Sequence, residues 1–361
     1  MTKFITIIVQ VTSRCNLHCK YCYVRYSGIN ACSISIDNID QLIENCSKEF
    51  ESVEFCWHGG EPLLMGKEFY ENIIDKQKEI TRIIGTKFRN TIQTNGTLLS
   101  DELINFFKKN KFGIGISFDA PEAVNNITRP FKNGESSTPY VLYSADRIVA
   151  ADLKFQPLCV ITNKNIKKAS EIFDFFKNAK AKSYSLLIEM STDNYKIPSN
   201  NEVFELYRDT FEMWLDDNNP FESIQPIETF VKGLIGGKPQ MCSFSESCLN
   251  KMITIHPDGG VAQCGSFVEN KYILGNIYKK SLLKILQGNK CLDLKKVREA
   301  AYINNCRECE YGSICKGGCR EAAYVNTKNY SSAYPYCEAR KLTFEYIRDR
   351  LVQITSKAKL E

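Results

Sequence analysis

Histidine is the scarcest of the chemically versatile residues here: only three occur among 361 residues, His18, His58 and His256. Imidazole acid–base catalysis and histidine-rich metal sites therefore have little material. There is no GxGxxG, no GxxxxGK[ST] and no GxSxG, so dinucleotide, P-loop and serine-hydrolase chemistry lack a motif. No apolar run approaches the ~20 residues that cross a bilayer. The short run from Phe4 to Val11 has no small-residue cleavage site after it, so neither export nor a membrane partner is expected. The 47 basic and 42 acidic residues are spread along the chain, and no tract of one sign could follow a phosphate backbone. Nucleic acid is not an expected partner.

Cysteine, by contrast, is abundant: sixteen residues, in a chain whose 43% apolar and 25% charged content is ordinary for a globular protein. Without an export signal, so many thiols imply a reducing cytoplasm, where they serve metals rather than disulfides. The length predicts one large domain and a smaller one.

Short β-type runs alternate with amphipathic helical segments over the first half, the pattern of a parallel α/β sheet. Strands are predicted at Ile5–Val11, Val53–Trp57, Phe88–Thr94, Gly113–Phe118, Phe155–Ile161 and Tyr184–Ile188, with helices near 37–50, 66–82, 100–109, 138–150 and 167–178. Residues 198–240 read as a helical linker, where Phe204, Tyr207, Phe211 and Trp214 have the spacing of a core face. From 241 onward cysteine becomes dense. Pro257-Asp258-Gly259-Gly260 predicts a hairpin, and a charged helix runs from about Tyr336 to Ser356. The expected domains are 1–197, the linker 198–240, and 241–361.

Ligands collect at the carboxyl ends of parallel strands. The first strand leads into Cys15-Asn-Leu-His-Cys19-Lys-Tyr-Cys22, three thiols at C-x3-C-x2-C spacing. Three thiolates suit a [4Fe–4S] cluster with one iron left open for a substrate or cofactor. The later strands bring His58-Gly59-Gly60-Glu61-Pro62, Gln93-Thr94-Asn95-Gly96 and Ser117-Phe118-Asp119 to the same rim.

With Tyr21 before its third cysteine, this loop resembles the signature of the radical S-adenosylmethionine (SAM) superfamily. The resemblance implies a partial (β/α)6 barrel, with Cys15, Cys19 and Cys22 on the cluster and SAM on the open iron. It implies also that Gly59, Gly60 and Glu61 hold the SAM ammonium, and that Ser117 and Arg129 contact its ribose and carboxylate, with Asn95 and Asp119 on the same rim. Arginine suits a carboxylate because its fork donates two parallel hydrogen bonds.

A second constellation is Cys306-x2-Cys309-x5-Cys315-x3-Cys319 with Cys337 beyond, preceded by Cys242, Cys248 and Cys264. All-cysteine zinc ribbons also use C-x2-C pairs, but the eight-cysteine order resembles the SPASM extension of peptide-modifying radical SAM enzymes, which carries two auxiliary [4Fe–4S] clusters. By that resemblance Cys242, Cys248, Cys264 and Cys319 hold one, and Cys306, Cys309, Cys315 and Cys337 the other, giving three clusters in all. The five remaining cysteines, Cys32, Cys46, Cys56, Cys159 and Cys291, are expected as small buried hydrophobes, although an exposed one could return a hydrogen atom to a substrate carbon.

The resemblance implies a peptide or protein substrate and an electron donor such as flavodoxin or ferredoxin. Its nearest form is the anaerobic sulfatase maturases, which oxidise Cys or Ser to formylglycine and carry an aspartate, the proposed base, immediately after the hairpin cysteine. Here Gly265 follows Cys264. The expected reaction is therefore first the maturation of a ribosomally made peptide, by crosslinking, with formylglycine formation second. A three-cluster electron-transfer protein and an enzyme making a small-molecule cofactor are further alternatives. Glu189, at the end of the sixth strand, is the candidate base. The first strand begins almost at residue 1, so a precursor-binding domain ahead of it is not expected, and strand edges near 250–264 are candidates to pair with an extended peptide.

Overall fold

The computed structural model describes residues 2–26, 32–190, 197–239, 241–246, 248–265 and 272–357. The chain divides into two compact units: one gathers Met1–Ser117, Asn126–Phe155 and Ser247–Lys296, the other Phe118–Asn125, Gln156–Glu246 and Val297–Glu361.

In the first unit, β1 (Thr2–Thr12), β2 (Phe50–Gly59), β3 (Lys87–Thr94) and β4 (Gly113–Ser117) are parallel neighbours in that order. β1 alternates so that Ile5, Ile7, Val9 and Val11 are buried, each contributing about 2 kcal/mol by leaving water. The helix Ile36–Glu49 returns the chain from β1 to β2. Its Ser35 cap accepts from Asn38 N, and it buries Ile39, Leu42, Ile43 and Cys46 at i, i+3, i+4, i+7 spacing. Beneath β2 and β3, Trp57 Nε1 donates to Asn90 Oδ1 at 3.0 Å, and Asn90 Nδ2 donates to Gln77 Oε1 at 2.7 Å. Buried polar groups are thereby matched with each other instead of left to water.

β8 (Met252–Ile255) joins this unit from late in the chain and pairs parallel to β1, Thr6 opposite Met252 and Val9 opposite Ile255. The predicted hairpin follows: β9 (Gly260–Ala262) runs antiparallel to β8, and β10 (Gly275–Asn276) antiparallel to β9. The expectation of free strand edges near 250–264 is overturned, because β8 is paired on both sides, by β1 and β9, and β9 by β8 and β10.

In the second unit β5 (Phe155–Ile161), β6 (Ser183–Ile188) and β7 (Ser223–Gln225) are parallel. The chain enters it just after β4, where Phe118 N donates to Leu158 O at 3.0 Å. The six predicted strands are present, and the parallel sheet does not close into a barrel. β7 is a strand inside the stretch read as helical, three residues long and without a two-residue alternation to announce it. Around it the helices Asn200–Asp216 and Ile227–Leu234 pack on the C-terminal helix Cys337–Lys357. Tyr207 and Phe211 are core residues, and Arg350 grips Glu212 through two 2.8 Å bonds. Among the described residues no helix is long and apolar enough to cross a membrane.

Candidate active site at the carboxyl ends of the strands

The cysteine loop hangs from the end of β1 and is tied on two sides. Gly60 N donates to Thr12 O at 2.7 Å and Glu61 N to Arg14 O at 2.8 Å, continuing the β1–β2 ladder past both strand ends. On the other side His18 N donates to Pro130 O and Lys20 N to Thr128 O. Gly59 and Gly60 are required by this closeness. A Cβ on Gly59 would stand 2.3 Å from Thr12 O, and one on Gly60 2.1 Å from Arg14 O. The approach that demands glycine is thus to the backbone of the cysteine loop itself.

Glu61 is fully buried. One carboxylate oxygen accepts from Leu63 N at 2.9 Å and Thr94 Oγ1 at 2.7 Å, the other from Asn95 N at 2.8 Å. Burial pushes its pKa up, while the bonds from Asn95, Thr94 and Leu63 oppose the shift. With about four acceptor sites on a carboxylate, one remains. The fixed Asn95 then reaches back: its Nδ2 lies 2.8 Å from Asn16 Oδ1 and 3.8 Å from Cys15 Sγ. Arg129 is buried and donates to the Tyr21 hydroxyl at 2.8 Å, and Ser117 Oγ accepts from Gln93 Nε2 at 2.9 Å. His58 serves the fold, since burial lowers its pKa to about 4 and its Nδ1 accepts from Gly59 N.

Cys15, Cys19 and Cys22 line one cleft of about 630 Å³ together with Asn16, Gly60 and Lys132. That is room for a small-molecule cofactor. Burial raises the Cys15 pKa, opposed by the Leu17 N–H, and Glu61 and Cys22 raise it further. Among the described residues no three of His, Cys, Asp or Glu stand in position to hold a single metal ion. A cubane instead spreads its thiolates over separate irons, and three thiols facing one roomy cleft fit that group.

The first unit also holds Cys248 and Cys264. Gln263 Nε2 donates to Cys248 Sγ at 2.9 Å. Beside Cys264, a Cβ on Gly265 would meet the Tyr23 hydroxyl at 2.8 Å and Gln10 Nε2 at 3.1 Å. Gln10 Nε2 donates to Gly265 O at 3.2 Å, and Gln10 Oε1 lies 2.8 Å from His256 Nδ1. The space a side chain at 265 would take is therefore occupied. Tyr23, Gln10 and His256 form a group that no motif announces, since His256 lies more than 230 positions from the other two.

Cys242 and Cys319 lie in the second unit, as do Asp119 and Glu189. Asp119 is buried and accepts from Val160 N at 3.0 Å, a structural duty. Glu189 is buried at the end of β6, its N–H donating to Ile161 O at 2.9 Å. Cys306, Cys309, Cys315 and Cys337 line one narrow pocket. Of the five other cysteines, Cys46, Cys159 and Cys291 are buried, and Cys32 and Cys56 are half-buried.

Residues 9–176 match the family model of the radical SAM superfamily, and residues 242–310 that of the iron–sulfur cluster-binding SPASM domain. The chain is a radical SAM enzyme carrying a SPASM domain, and these domains imply SAM and iron–sulfur clusters. It is 26% identical to the cysteine-type anaerobic sulfatase-maturating enzyme of Clostridium perfringens over 98% of each chain. The serine-type enzyme of Bacteroides thetaiotaomicron is 24% identical over 94% of this chain and 88% of its own. Among solved structures, native anSMEcpe with bound AdoMet superposes with a TM-score of 0.87 at 25% identity, covering 98% of this chain and 100% of that one. Streptococcus suis SuiB bound to S-adenosylmethionine shares the fold, with a TM-score of 0.66 at 15% identity over 92% of this chain and 76% of its own.

Proposed function

We propose that this enzyme oxidises a Cys or Ser residue of a protein or peptide substrate at Cβ, the formylglycine-forming chemistry of sulfatase maturases. The observation that carries the reading is that similarity to both cysteine- and serine-type sulfatase maturases extends over nearly the whole chain, SPASM segment included. The crosslinking reaction that the sequence places first becomes the second reading. What keeps it alive is Gly265, which stands where the resemblance to the maturases implies an aspartate and whose Cβ position lies against Tyr23 and Gln10.

Cys15, Cys19 and Cys22 would hold the first [4Fe–4S] cluster. Glu61 with its one spare acceptor site would meet the SAM ammonium, Arg129 the carboxylate and Ser117 the ribose. Gly59, Gly60, Asn95 and Tyr21 set these groups in place. When bound, cluster and SAM supply a one-electron cleavage that yields a hydrogen-abstracting 5′-deoxyadenosyl group. Two auxiliary clusters, on Cys242, Cys248, Cys264 and Cys319 and on Cys306, Cys309, Cys315 and Cys337, complete the set, with flavodoxin or ferredoxin as reductant.

The oxidation removes from the substrate one hydrogen atom at Cβ, which the deoxyadenosyl group would take, one electron, which a bound cluster would accept, and the proton of the thiol or hydroxyl. Ser then stands as the aldehyde, whereas Cys stands as a thioaldehyde that water converts to the aldehyde with release of hydrogen sulfide. The proton of the thiol or hydroxyl needs a base, and Gly265 supplies no carboxylate for it. Glu189 is the carboxylate we assign to it. Glu189→Gln should lower product formation by about 10²-fold or more while 5′-deoxyadenosine continues to form, a split visible when both are quantified in one reaction. Loss of both together would remove Glu189 from the role of base.

The reading itself is tested by anaerobic incubation with SAM, dithionite and sulfatase peptides bearing Cys or Ser, followed by mass spectrometry. Formylglycine is the expected product. Inert sulfatase peptides, together with loss of two hydrogens in a short cysteine-containing precursor, would replace this reading with crosslinking.

A further inference from the structure

The second unit buries a cation that, among the described residues, no carboxylate pairs with. Arg340 is 6% exposed and stands on the C-terminal helix, three residues after Cys337. Its Nη1 donates to Ser243 O at 3.2 Å and to Cys315 Sγ at 3.3 Å, and its Nη2 to Ser243 Oγ at 3.1 Å. The guanidinium also lies 4.0 Å from the ring centre of Phe244 and 4.3 Å from that of Tyr334. Its hydrogen-bond partners are a carbonyl, a hydroxyl and a thiol. Arg320, next to Cys319, is likewise buried, and its guanidinium donates to the carbonyls of Ser332 and Gly317.

Burying an unpaired charge costs several kcal/mol even after relaxation. A fold keeps such a group where an anion faces it. Arg340 lines the same narrow pocket as Cys306, Cys309, Cys315 and Cys337. Four thiolates on a [4Fe–4S] core make a net anion, and reduction adds one more negative charge. Hydrogen bonds to cluster sulfur and nearby charge set the potential of such a centre. Arginine keeps its charge at any pH a protein survives, and its plane stacks between rings where an ammonium would not.

We propose that Arg340 is the counter-charge of the C-terminal auxiliary cluster and holds its reduction potential up, through the bond to Cys315 Sγ and the fixed positive charge between Phe244 and Tyr334. This rests on the reading that the four cysteines ligate a cluster. Arg340 acts through that cluster and is a positioning residue.

The test is an EPR-monitored redox titration of the reconstituted enzyme, with the relevant signal assigned as the one missing from Cys309→Ala. Arg340→Gln and Arg340→Met should move its midpoint to more negative potential, with Arg340→Lys between them and the parent. Loss of this cluster's iron in Arg340→Gln but not in Arg340→Lys would support the same role. An unchanged midpoint in an iron-replete Arg340→Gln protein would overturn it. Equal iron loss in the Lys and Gln variants would overturn it too, marking Arg340 as packing. An iron content unaffected by Cys309→Ala would instead bring down the cluster reading, and this inference with it.

Discussion

Cys15→Ala protein should make no 5′-deoxyadenosine above background, while Cys306→Ala protein should still cleave SAM and yet yield less product. Loss of an outer partner of a metal ligand typically costs 10–100-fold in affinity, so loss of one of the three cysteines proposed as ligands should exceed about 100-fold. The two variants differ because their cysteines face different pockets, Cys15 the cleft beside β1 and Cys306 the one beside Arg340. Iron content and 5′-deoxyadenosine, measured together on anaerobically reconstituted protein, check both. Native-rate cleavage by Cys15→Ala, with its other clusters intact, would mean that this loop does not carry the open iron.

A methyl group at residue 60 should be nearly as damaging. The nearest atoms to that Cβ are Arg14 O at 2.1 Å, Arg14 C at 2.5 Å and Ser13 C at 2.9 Å, all backbone, so no rotamer relieves the overlap. The two hydrogen bonds that zip residues 60 and 61 to residues 12 and 14 must lengthen or break. Overpacking of this kind costs about 3 kcal/mol, with roughly 1 kcal/mol more for each bond lost. Gly60→Ala should therefore lose the iron of the first cluster and SAM cleavage, while the iron of the C-terminal pocket, whose four cysteines all lie in the second unit, stays. Gly85→Ala is the control. It has φ +84° but nothing within 4 Å of its Cβ, and should cost only about 1 kcal/mol without touching iron. Retention of first-cluster iron in Gly60→Ala would show that the loop can move aside.

What the sequence made legible was local. Ile5–Val11 is a strand because β-branched residues alternate into a core, and Ser35 opens a helix because a hydroxyl caps it. The cysteine loop, Gly59-Gly60-Glu61 and Asn95 were findable because each follows a strand directly, and parallel strands end on one rim. Other features depend on pieces far apart in the chain. Nothing in Met252–Ile255 says that it pairs with β1 as well as with its own hairpin partner. The sequence points to Glu61 as a cofactor ligand; that three of its acceptor sites also serve Leu63, Thr94 and Asn95 emerges only when folding brings these donors to it. Gly265 alone weighed against a sulfatase maturase, whereas likeness along the whole chain favours one. The Tyr23 hydroxyl over that glycine comes from residues more than 240 positions away.

The pairing of β8 with β1 has a consequence for how the chain must be made. β1 is among the first segments to leave the ribosome, and its partner on one side is synthesised some 240 residues later. Until then one flank of Thr6–Val9 exposes unsatisfied amides and carbonyls in a stretch rich in β-branched residues, a template for the wrong strand. Contacts of such long separation also form slowly. A fragment ending before Met252 would keep that flank open permanently, and should accumulate as aggregate even though every cysteine of the first loop is present.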